Sequence, residues 1–379
     1  MQKKIKILSI IETLGRGGAE RVLVNTLPEL KKLGIECEVA ILFEDDTLAK
    51  ELEVHNIQVH RLNLSHKWNI LEGIKKLNKL AVNNQYDIIH AHLFFAHFYT
   101  GLVKIFNPKI KIITTFHNLE FKVYPPNTFL KKIRKYINCF IVRKMFDKVT
   151  AVSKAVQEHY QEHCKINKID LIHNSFPLSD FENYKKEKKA NILKKYIQIK
   201  DNRFIVLTPG RLTKEKGHKY LIETMHLINQ KYPNFLFLFI GKGPLENTLK
   251  ENAPNNLQFI SAIEHSELMK IYKEVDLIVI PSIYEAFGLV IGEAMIMGKP
   301  IVATDIDGIV EMITTETEGL LVPPKKSEFL FNAIERLYLS SSLQNFLVQN
   351  AEEKIKQFDT KVIAKQWKQY YEDILHDIN

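Results

Sequence analysis

Two glutamates flank the predicted start of a helix that follows a buried strand. Glu285 precedes the helix and Glu293 lies within it. The apolar run Asp276–Ile280 predicts the strand, and Gly298 with Pro300 predicts the end of the helix. A helix N-terminus offers unpaired N–H groups and the positive end of the helix dipole, which suit a phosphate. The carboxylates can accept hydroxyl hydrogen bonds on both sides of a diphosphate, as a nucleotide sugar requires. The alternative is an amphipathic helix whose two glutamates are only solvated, because such a helix gives the same spacing.

Basic residues follow the first predicted strand of the second half of the chain. Arg211 offers a planar fork of donors and Lys216 a point charge. Both suit a diphosphate and the negative charge that builds on it when a glycosidic bond breaks. The alternative is an exposed basic turn without a ligand.

Glycine turns follow strands at three places. Gly17 and Gly18 come after the first strand, Gly210 precedes Arg211, and Gly241 follows the next strand. Glycines at such turns let backbone N–H groups approach a ligand closely. Dehydrogenases share this feature, but G-x-G-x-x-G is not matched at the first turn and no acidic residue closes the second strand in the usual place.

His117 directly follows the predicted strand Lys111–Phe116. A neutral imidazole there can hydrogen-bond a sugar hydroxyl, while a structural histidine satisfied within the fold is the alternative. The other histidines show no metal-ligand spacing, and no Ser-His-Asp order or G-x-S-x-G motif occurs.

Strand-like and helix-like runs alternate along the whole chain. Short runs rich in Ile and Val, separated by helical stretches, predict parallel sheets. The first group is Lys4–Ile11, Ile35–Leu42, Tyr86–His90, Lys111–Thr115 and Asp147–Val152. The second group is Arg203–Thr208, Phe235–Ile240, Leu257–Ile260, Val275–Ile280 and Pro300–Thr304. We therefore predict an α/β protein with two doubly wound domains, whose ligands bind outside the carboxyl ends of the strands.

Composition limits the classes of partner and compartment. The net charge of +9 implies an acidic partner. This partner can be a nucleic acid, a nucleotide sugar or an anionic membrane. Because the sequence contains no nucleic-acid-binding motif, we predict that no nucleic acid is bound. Cys37, Cys139 and Cys164 show neither metal spacing nor a disulfide framework, so we predict a reducing cytoplasm. Met1–Ile11 fits a first strand better than a signal peptide, and no run of about 18 apolar residues exists.

These motifs together resemble the retaining glycosyltransferases of family 4, which have the GT-B fold. The resemblance rests on the following segments: the E-x7-E frame of Glu285 and Glu293, G-G-A-E-R from Gly17, T-F-H ending at His117, G-R-L-x-x-x-K-G from Gly210, and G-x-G-P-L from Gly241. It implies two Rossmann-like domains facing across a cleft. We expect an acceptor-side domain over 1–178, a Lys-rich linker over 179–200, a nucleotide-sugar domain over 201–358, and a helix over 359–379 that returns to the first domain.

The resemblance also implies a reaction and a set of site residues. The reaction is transfer of a hexose or N-acetylhexosamine, with retention, from a nucleotide diphosphate sugar (UDP-sugar favoured) to a glycan or lipid-linked glycan of a surface polysaccharide. The implied donor-binding residues are Gly17, Gly18, Gly210, Arg211, Lys216, Gly241, Ile263, Glu285, Phe287, Gly288, Leu289, Val290 and Glu293. The implied catalytic residues are Glu285, His117, Arg211 and Lys216.

The implied mechanism needs no cofactor or metal. In a front-face reaction the leaving phosphate oxygen takes the acceptor proton, while Arg211, Lys216 and the helix start stabilise that oxygen. Glu285 would hold the donor sugar and Glu293 the ribose. Asp305-Ile306-Asp307 looks like a metal-binding D-x-D, but it stands where the family has a Gly-Gly turn. An isomerase of the same fold and a non-catalytic nucleotide-binding subunit are the alternatives.

The acceptor side is predicted near a basic amphipathic helix. Seven apolar residues share one face of this helix: Phe129, Leu130, Ile133, Tyr136, Ile137, Phe140 and Ile141. Lys131, Lys132 and Lys135 lie off that face, and Asn118 and Tyr124 belong to the preceding loop. Either the face packs into the core, or the loop and helix lie on an anionic membrane that carries the acceptor.

Overall fold

The computed structural model describes residues 4–187, 191–198 and 202–376 of the chain. These residues form two compact units. The first unit runs to Phe176 and resumes at Phe358, and the second is Pro177–Gln357. The terminal residues 1–3 and 377–379 of the predicted first strand and last helix lie outside the described residues, as do 188–190 and 199–201 of the predicted linker.

A parallel sheet forms the centre of the first unit. Its strands over the described residues are β1 (Lys6–Ile11), β2 (Glu36–Ile41), β3 (Gln58–Arg61), β4 (Ile88–His92), β5 (Lys111–Phe116), β6 (Lys148–Ala151) and β7 (Asp170–Leu171). The order across the sheet is β3-β2-β1-β4-β5-β6-β7. The register pairs Lys6 with Glu36 and Ile7 with Ile88. Helices on both faces bury its central strands, which is why those strands are almost wholly apolar.

Seven helices of the first unit, counted over the described ranges, connect these strands. They are α1 (Gly18–Lys32), α2 (Ala49–Glu53), α3 (Ile70–Asn84), α4 (Phe94–Phe106), α5 (Glu120–Val123), α6 (Phe129–Met145) and α7 (Lys154–Cys164). Each of α1, α4 and α7 is the next helix after a strand (β1, β4 and β6), so the polar residues of these connections gather at the carboxyl edge of the sheet.

The second unit repeats the design. Its strands are β8 (Phe204–Pro209), β9 (Phe235–Ile240), β10 (Leu257–Ile260), β11 (Leu277–Ile280), β12 (Ile301–Thr304) and β13 (Leu320–Val322), in the order β10-β9-β8-β11-β12-β13. Its helices are α8 (Leu178–Lys186), α9 (His218–Lys231), α10 (Glu246–Glu251), α11 (His265–Tyr272), α12 (Leu289–Ile296), α13 (Ile309–Met312), α14 (Ser327–Tyr338) and α15 (Ser341–Lys354), with 3-10 turns at Ile192–Lys195, Lys214–Lys216 and Ile355–Phe358. Both sheets have the strand order of a doubly wound nucleotide-binding fold.

All ten predicted strands are confirmed, and three further strands lie at sheet edges. Gln58–Arg61 is largely polar, while Asp170–Leu171 and Leu320–Val322 have only two and three residues. Short or polar edge strands carry little periodic signal, so the sequence did not reveal them.

Part of the segment expected to be a linker packs on the second unit instead. It contains α8 and the turn Ile192–Lys195, where Phe181 and Leu193 are buried. The backbone N–H groups of Ile192 and Leu193 donate to the carboxylate of Glu274 at 2.6 and 3.0 Å. Phe181 and Leu193 are therefore two apolar anchors within a Lys-rich stretch.

The last helix, α16 (Thr360–His376), belongs to the first unit. It packs against α1. Its residues Trp367 and Tyr371 are buried, and the Tyr371 hydroxyl lies 2.9 Å from Nδ1 of His90. The helix therefore completes the core of the first unit.

The prediction that the cysteines form no disulfide was wrong. Cys139 on α6 and Cys164 at the end of α7 are paired, with their Cα atoms 4.8 Å apart. They are 25 residues apart in sequence, and side-by-side packing of the two helices brings them together. Cys37 is free and buried, and burial raises the pKa of its thiol to about 12. The inference of a reducing compartment from cysteine spacing therefore loses its support.

Candidate active site

Glu285 lies in the loop between β11 and α12, in the second unit. The helix begins at Leu289, as predicted, and Gly288 before it has φ +87°. That left-handed backbone conformation favours glycine. It turns the chain sharply between Glu285 and α12. Only a short loop therefore separates the Glu285 carboxylate from the free N–H groups at the start of α12.

Lys216 and Glu285 form an ion pair. Lys216 Nζ lies 2.5 Å from Glu285 Oε2, and the side chains are only 21% and 16% exposed. The two loops are also joined through the backbone, because Ile283 N–H donates to the carbonyl of Glu215 at 2.6 Å. Residues 69 apart in sequence thus place a cation and a hydroxyl acceptor together beside a helix N-terminus. This arrangement can hold a phosphate and a sugar hydroxyl side by side.

Glu293 points toward two partners that the sequence analysis missed. Its Oε1 lies 2.9 Å from Nε2 of His265, and its Oε2 accepts a hydrogen bond from the Tyr272 hydroxyl at 3.2 Å. Burial raises the pKa of Tyr272 well above its usual value, so the phenol stays a donor. These contacts fix the orientation of a carboxylate that is only 13% exposed. In the sequence, only a polar residue at the start of α11 and a tyrosine at its end could have indicated these partners.

Arg211 differs from Lys216 in exposure. Its side chain is 65% exposed and pairs loosely with Glu215 at 3.2 Å. Beside it, Gly210 and Gly241 have φ values of +141° and +151°. A Cβ at Gly241 would lie 2.0 Å from the carbonyl oxygen of Gly210, so the turns after β8 and β9 pack too closely for a side chain. The Arg211 guanidinium therefore extends into solvent from two closely packed glycine turns.

The remaining predicted donor residues of the second unit occupy two settings. Ile263, Leu289 and Val290 are half-buried. Phe287 is 1% exposed, so its side chain supports the loop from the core. Asp307, from the D-x-D segment and not among the predicted donor residues, has φ +34°, in the left-handed region that favours glycine. Over the described ranges, no three histidine, cysteine or carboxylate side chains converge where a metal ion could bind.

His117 lies at the carboxyl end of β5 in the first unit. Its Nε2 is 2.9 Å from Nδ1 of His92, and its Nδ1 is buried without a hydrogen-bond partner among the described residues. Burial lowers the pKa of His117 to about 4. The imidazole is therefore neutral at pH 7 and has one nitrogen unused.

Gly17 and Gly18 form the start of α1. Gly17 precedes the helix and Gly18 is its first residue. The side chain of Glu20 folds back over this turn, and a Cβ at Gly17 would lie 2.1 Å from its Oε2. Burial raises the pKa of Glu20. A side chain at Gly17 would therefore require the Glu20 carboxylate to move.

Three of the five predicted acceptor-side residues line one cavity of about 400 Å³ in the first unit: Asn118, Tyr124 and Lys131. Lys135 instead lies over the ring of Phe121, with Nζ 4.6 Å from its centroid. Lys132 is exposed on α6. The cavity also contains two carboxylates that were not predicted, Glu12 and Glu120, although both lie shortly after strand ends.

The apolar face of α6 is largely solvent-exposed. Phe129 and Leu130 are 78% and 77% exposed, and Tyr136 is 69% exposed. Asn138, Cys139, Ile141 and Val142 are the buried residues of this helix. Of the two interpretations of this face, core packing therefore applies only to its C-terminal part.

Comparisons with known proteins identify the family. A family model described as "Glycosyltransferase Family 4" matches residues 16–180, and one described as "Glycosyl transferases group 1" matches residues 189–354. The crystal structure of a glycosyltransferase from Rickettsia africae ESF-5 superposes with a TM-score of 0.81 at 26% identity, covering 98% of this chain and 99% of that one.

Two curated relatives extend the likeness. An uncharacterised glycosyltransferase of Methanocaldococcus jannaschii is 27% identical over 87% of this chain and 88% of its own length. The UDP-Gal:alpha-D-GlcNAc-diphosphoundecaprenol alpha-1,3-galactosyltransferase of Escherichia coli is 24% identical over 75% and 74%. The chain belongs to the GT-B glycosyltransferases of the family-4 type, which use nucleotide-sugar donors. None of the helices that the structure describes has the length and apolar character to cross a membrane.

Proposed function

We propose that this glycosyltransferase transfers a hexose or N-acetylhexosamine, with retention and without a metal, from a UDP-sugar to a lipid-linked glycan. The Lys216–Glu285 ion pair beside the N-terminus of α12 carries the proposal. It combines a cation for the diphosphate with a carboxylate for the hydroxyls of the attached sugar. Arg211 adds an exposed second cation.

The proposed chemistry is a front-face displacement. As the bond from the anomeric carbon to the phosphate oxygen breaks, negative charge grows on the diphosphate. Lys216, Arg211 and the N–H groups at the start of α12 stabilise that charge. The leaving phosphate oxygen takes the proton of the attacking acceptor hydroxyl. Glu285 orients the sugar, Glu293 binds the ribose, and the neutral imidazole of His117 hydrogen-bonds the sugar. Cations of the protein thus do what a metal does in other transferases.

The choice of donor and acceptor draws on a relative. The Escherichia coli enzyme is named for UDP-galactose and for an acceptor carried on a lipid diphosphate. The same classes fit the net charge of +9 and the basic helix α6. We assign the protein to surface-polysaccharide biosynthesis, such as lipopolysaccharide or capsule, at the cytoplasmic face of the cell membrane.

A panel of nucleotide sugars tested by thermal shift is the first experiment. A ligand that binds only the native state raises the melting temperature. We expect UDP-sugars to raise it in the wild type and in Lys214→Ala, an exposed neighbour, and to raise it less in Lys216→Ala. No shift with any nucleotide sugar in the wild type would contradict the proposal.

Membrane association has a separate test. The exposed residues Phe129 and Leu130 would enter the interface, and each Lys or Arg nearby contributes about 1 kcal/mol on an anionic surface. In vesicle flotation we expect binding to anionic lipid at low salt that weakens at high salt. Phe129→Ser with Leu130→Ser should reduce binding, whereas Leu71→Ser, at a position 83% exposed on α3, should not. Binding that ignores lipid charge would contradict the role of the nearby Lys and Arg residues, and no binding would restrict the enzyme to a dissolved acceptor.

A further inference from the structure

Both oxygens of the Glu293 carboxylate are engaged by side chains that the proposed mechanism leaves without a role. Nε2 of His265 lies 2.9 Å from Oε1, and the Tyr272 hydroxyl lies 3.2 Å from Oε2. A carboxylate only accepts hydrogen bonds, so His265 carries a proton on Nε2 and donates it to Oε1. The carboxylate is therefore held by one hydrogen bond on each of its oxygens.

The two residues that hold Glu293 are themselves held by packing. Tyr272 is fully buried, and its hydroxyl also lies 3.4 Å from the carbonyl oxygen of Val290 in the first turn of α12. The ring of His265 meets the ring of the buried residue Phe181 edge-on, with the centroids 6.1 Å apart. Side chains that are locked in this way keep a binding group in one orientation.

The held carboxylate can still accept a ligand hydrogen bond on each oxygen. A carboxylate has about four lone-pair sites, shared equally between its two oxygens. Since the protein uses one site on each oxygen, another remains on each. The side chain of Glu293 is only 13% exposed, so water has little access to these sites. Two hydroxyl groups that lie side by side on a ligand would fill both.

The cis 2′- and 3′-hydroxyls of a ribose are such a pair. If one of them is missing, a fixed carboxylate keeps a lone pair that is buried and unfilled, which penalises the deoxy compound. A carboxylate that is free to rotate can turn to another partner and loses less. His265 opens α11, and the predicted donor-binding residue Ile263 lies in the loop just before this helix. The contact between His265 and Glu293 therefore joins two parts of the proposed nucleotide site.

We propose that His265 and Tyr272 are positioning residues that make Glu293 select a ribonucleotide over a deoxyribonucleotide. Each of them fixes one carboxylate oxygen, so that the other lone pairs of Glu293 face the two hydroxyls of the ribose together. This assignment rests on the proposed function, because it requires Glu293 to bind the ribose of the sugar donor. It adds a basis for choosing between nucleotides that differ only in the pentose.

Isothermal titration calorimetry with UDP, 2′-deoxy-UDP and 3′-deoxy-UDP tests the assignment. The wild type should bind each deoxy compound at least about tenfold more weakly than UDP, because a hydrogen bond to a charged group is lost. In Tyr272→Phe and in His265→Ala this preference should fall below about threefold, since the carboxylate is no longer locked. His265→Gln should retain the preference, because its amide N–H can replace the imidazole N–H. Tyr196→Phe is the matched control: the Tyr196 hydroxyl donates at 2.7 Å to Glu267, another carboxylate on α11.

Thermal unfolding of the same variants reports on folding, and the half-buried position of His265 keeps the test available if Tyr272→Phe does not fold. A preference for UDP that is unchanged in the variants, or that Tyr196→Phe lowers equally, overturns the inference. The inference also fails if the wild type binds all three compounds alike while Glu293→Gln weakens UDP binding. A wild type that does not bind UDP, or a Glu293→Gln variant that binds it as tightly as the wild type, contradicts the proposed function instead.

Discussion

We propose the same chemical role for Lys216 and Arg211, although their surroundings differ. Substitutions of the two residues can therefore be predicted and compared as a pair. Lys216→Ala and Arg211→Ala should each lower kcat and kcat/KM together, because both contacts strengthen as charge develops on the diphosphate. The loss of one such donor is expected to cost on the order of a hundredfold. That factor corresponds to about 2.7 kcal/mol of transition-state stabilisation.

Their effects on stability should differ. Lys216→Ala leaves the carboxylate of Glu285 without its cation at 16% exposure. Its cost should fall between those of breaking a surface pair and a buried pair, about 1–2 kcal/mol. Arg211 is 65% exposed, so Arg211→Ala should change the free energy of unfolding by less than about 0.5 kcal/mol. A protein that starts with at least about 5 kcal/mol stays almost fully folded in both cases. Unfolding therefore cannot account for a hundredfold loss of turnover.

Steady-state kinetics and urea unfolding of both variants provide the assay, with Lys214→Ala as the matched control. This control removes the same charge from an exposed position in the same turn. Unchanged turnover in Lys216→Ala and Arg211→Ala would remove the diphosphate assignment. Equal losses in all three variants would reduce the effect to general electrostatics.

Three further predictions follow from the site and the buried histidines. Glu293→Gln should mainly raise the KM for the donor, since ribose contacts are similar in ground and transition states, whereas Glu285→Gln should also lower kcat; the opposite ranking would mean that their roles are reversed. Activity should survive EDTA, and complete loss that magnesium or manganese restores would refute the metal-independent mechanism. The free energy of unfolding should fall as pH drops from about 6.5 to 4, because the unfolded chain then binds protons that His117, with its pKa lowered to about 4, does not. Urea unfolding at pH 7 and pH 5 measures this, and equal or greater stability at pH 5 would contradict it.

The sequence predicts the architecture well because the central strands carry a strong local signal. Runs such as Phe235–Ile240 are apolar throughout, and their boundaries are confirmed residue for residue. The turn residues that follow the strands need no long-range information either, since the carboxyl edge of a parallel sheet gathers them. The edge strand Leu320–Val322 lacks such a signal.

The contacts that complete the site could not be predicted, because they join distant parts of the chain. The Lys216–Glu285 pair spans 69 residues, and Glu293 meets His265 across 28. The Cys139–Cys164 pairing depends on how two helices pack. Exposure of the apolar residues of α6 is also a tertiary property, since periodicity shows that a face is apolar but not what covers it.

The proposed reaction is the retaining transfer of a sugar from a nucleotide diphosphate to an acceptor. Proton NMR can follow the reaction of the best-binding UDP-sugar with N-acetylglucosamine carried on a prenyl diphosphate, with the slower Lys216→Ala variant as the reference. We expect a product whose anomeric configuration equals that of the donor, and no new nucleotide sugar when the acceptor is left out. A product of inverted configuration would contradict the retaining mechanism, and conversion of the donor alone into another nucleotide sugar would show an isomerase.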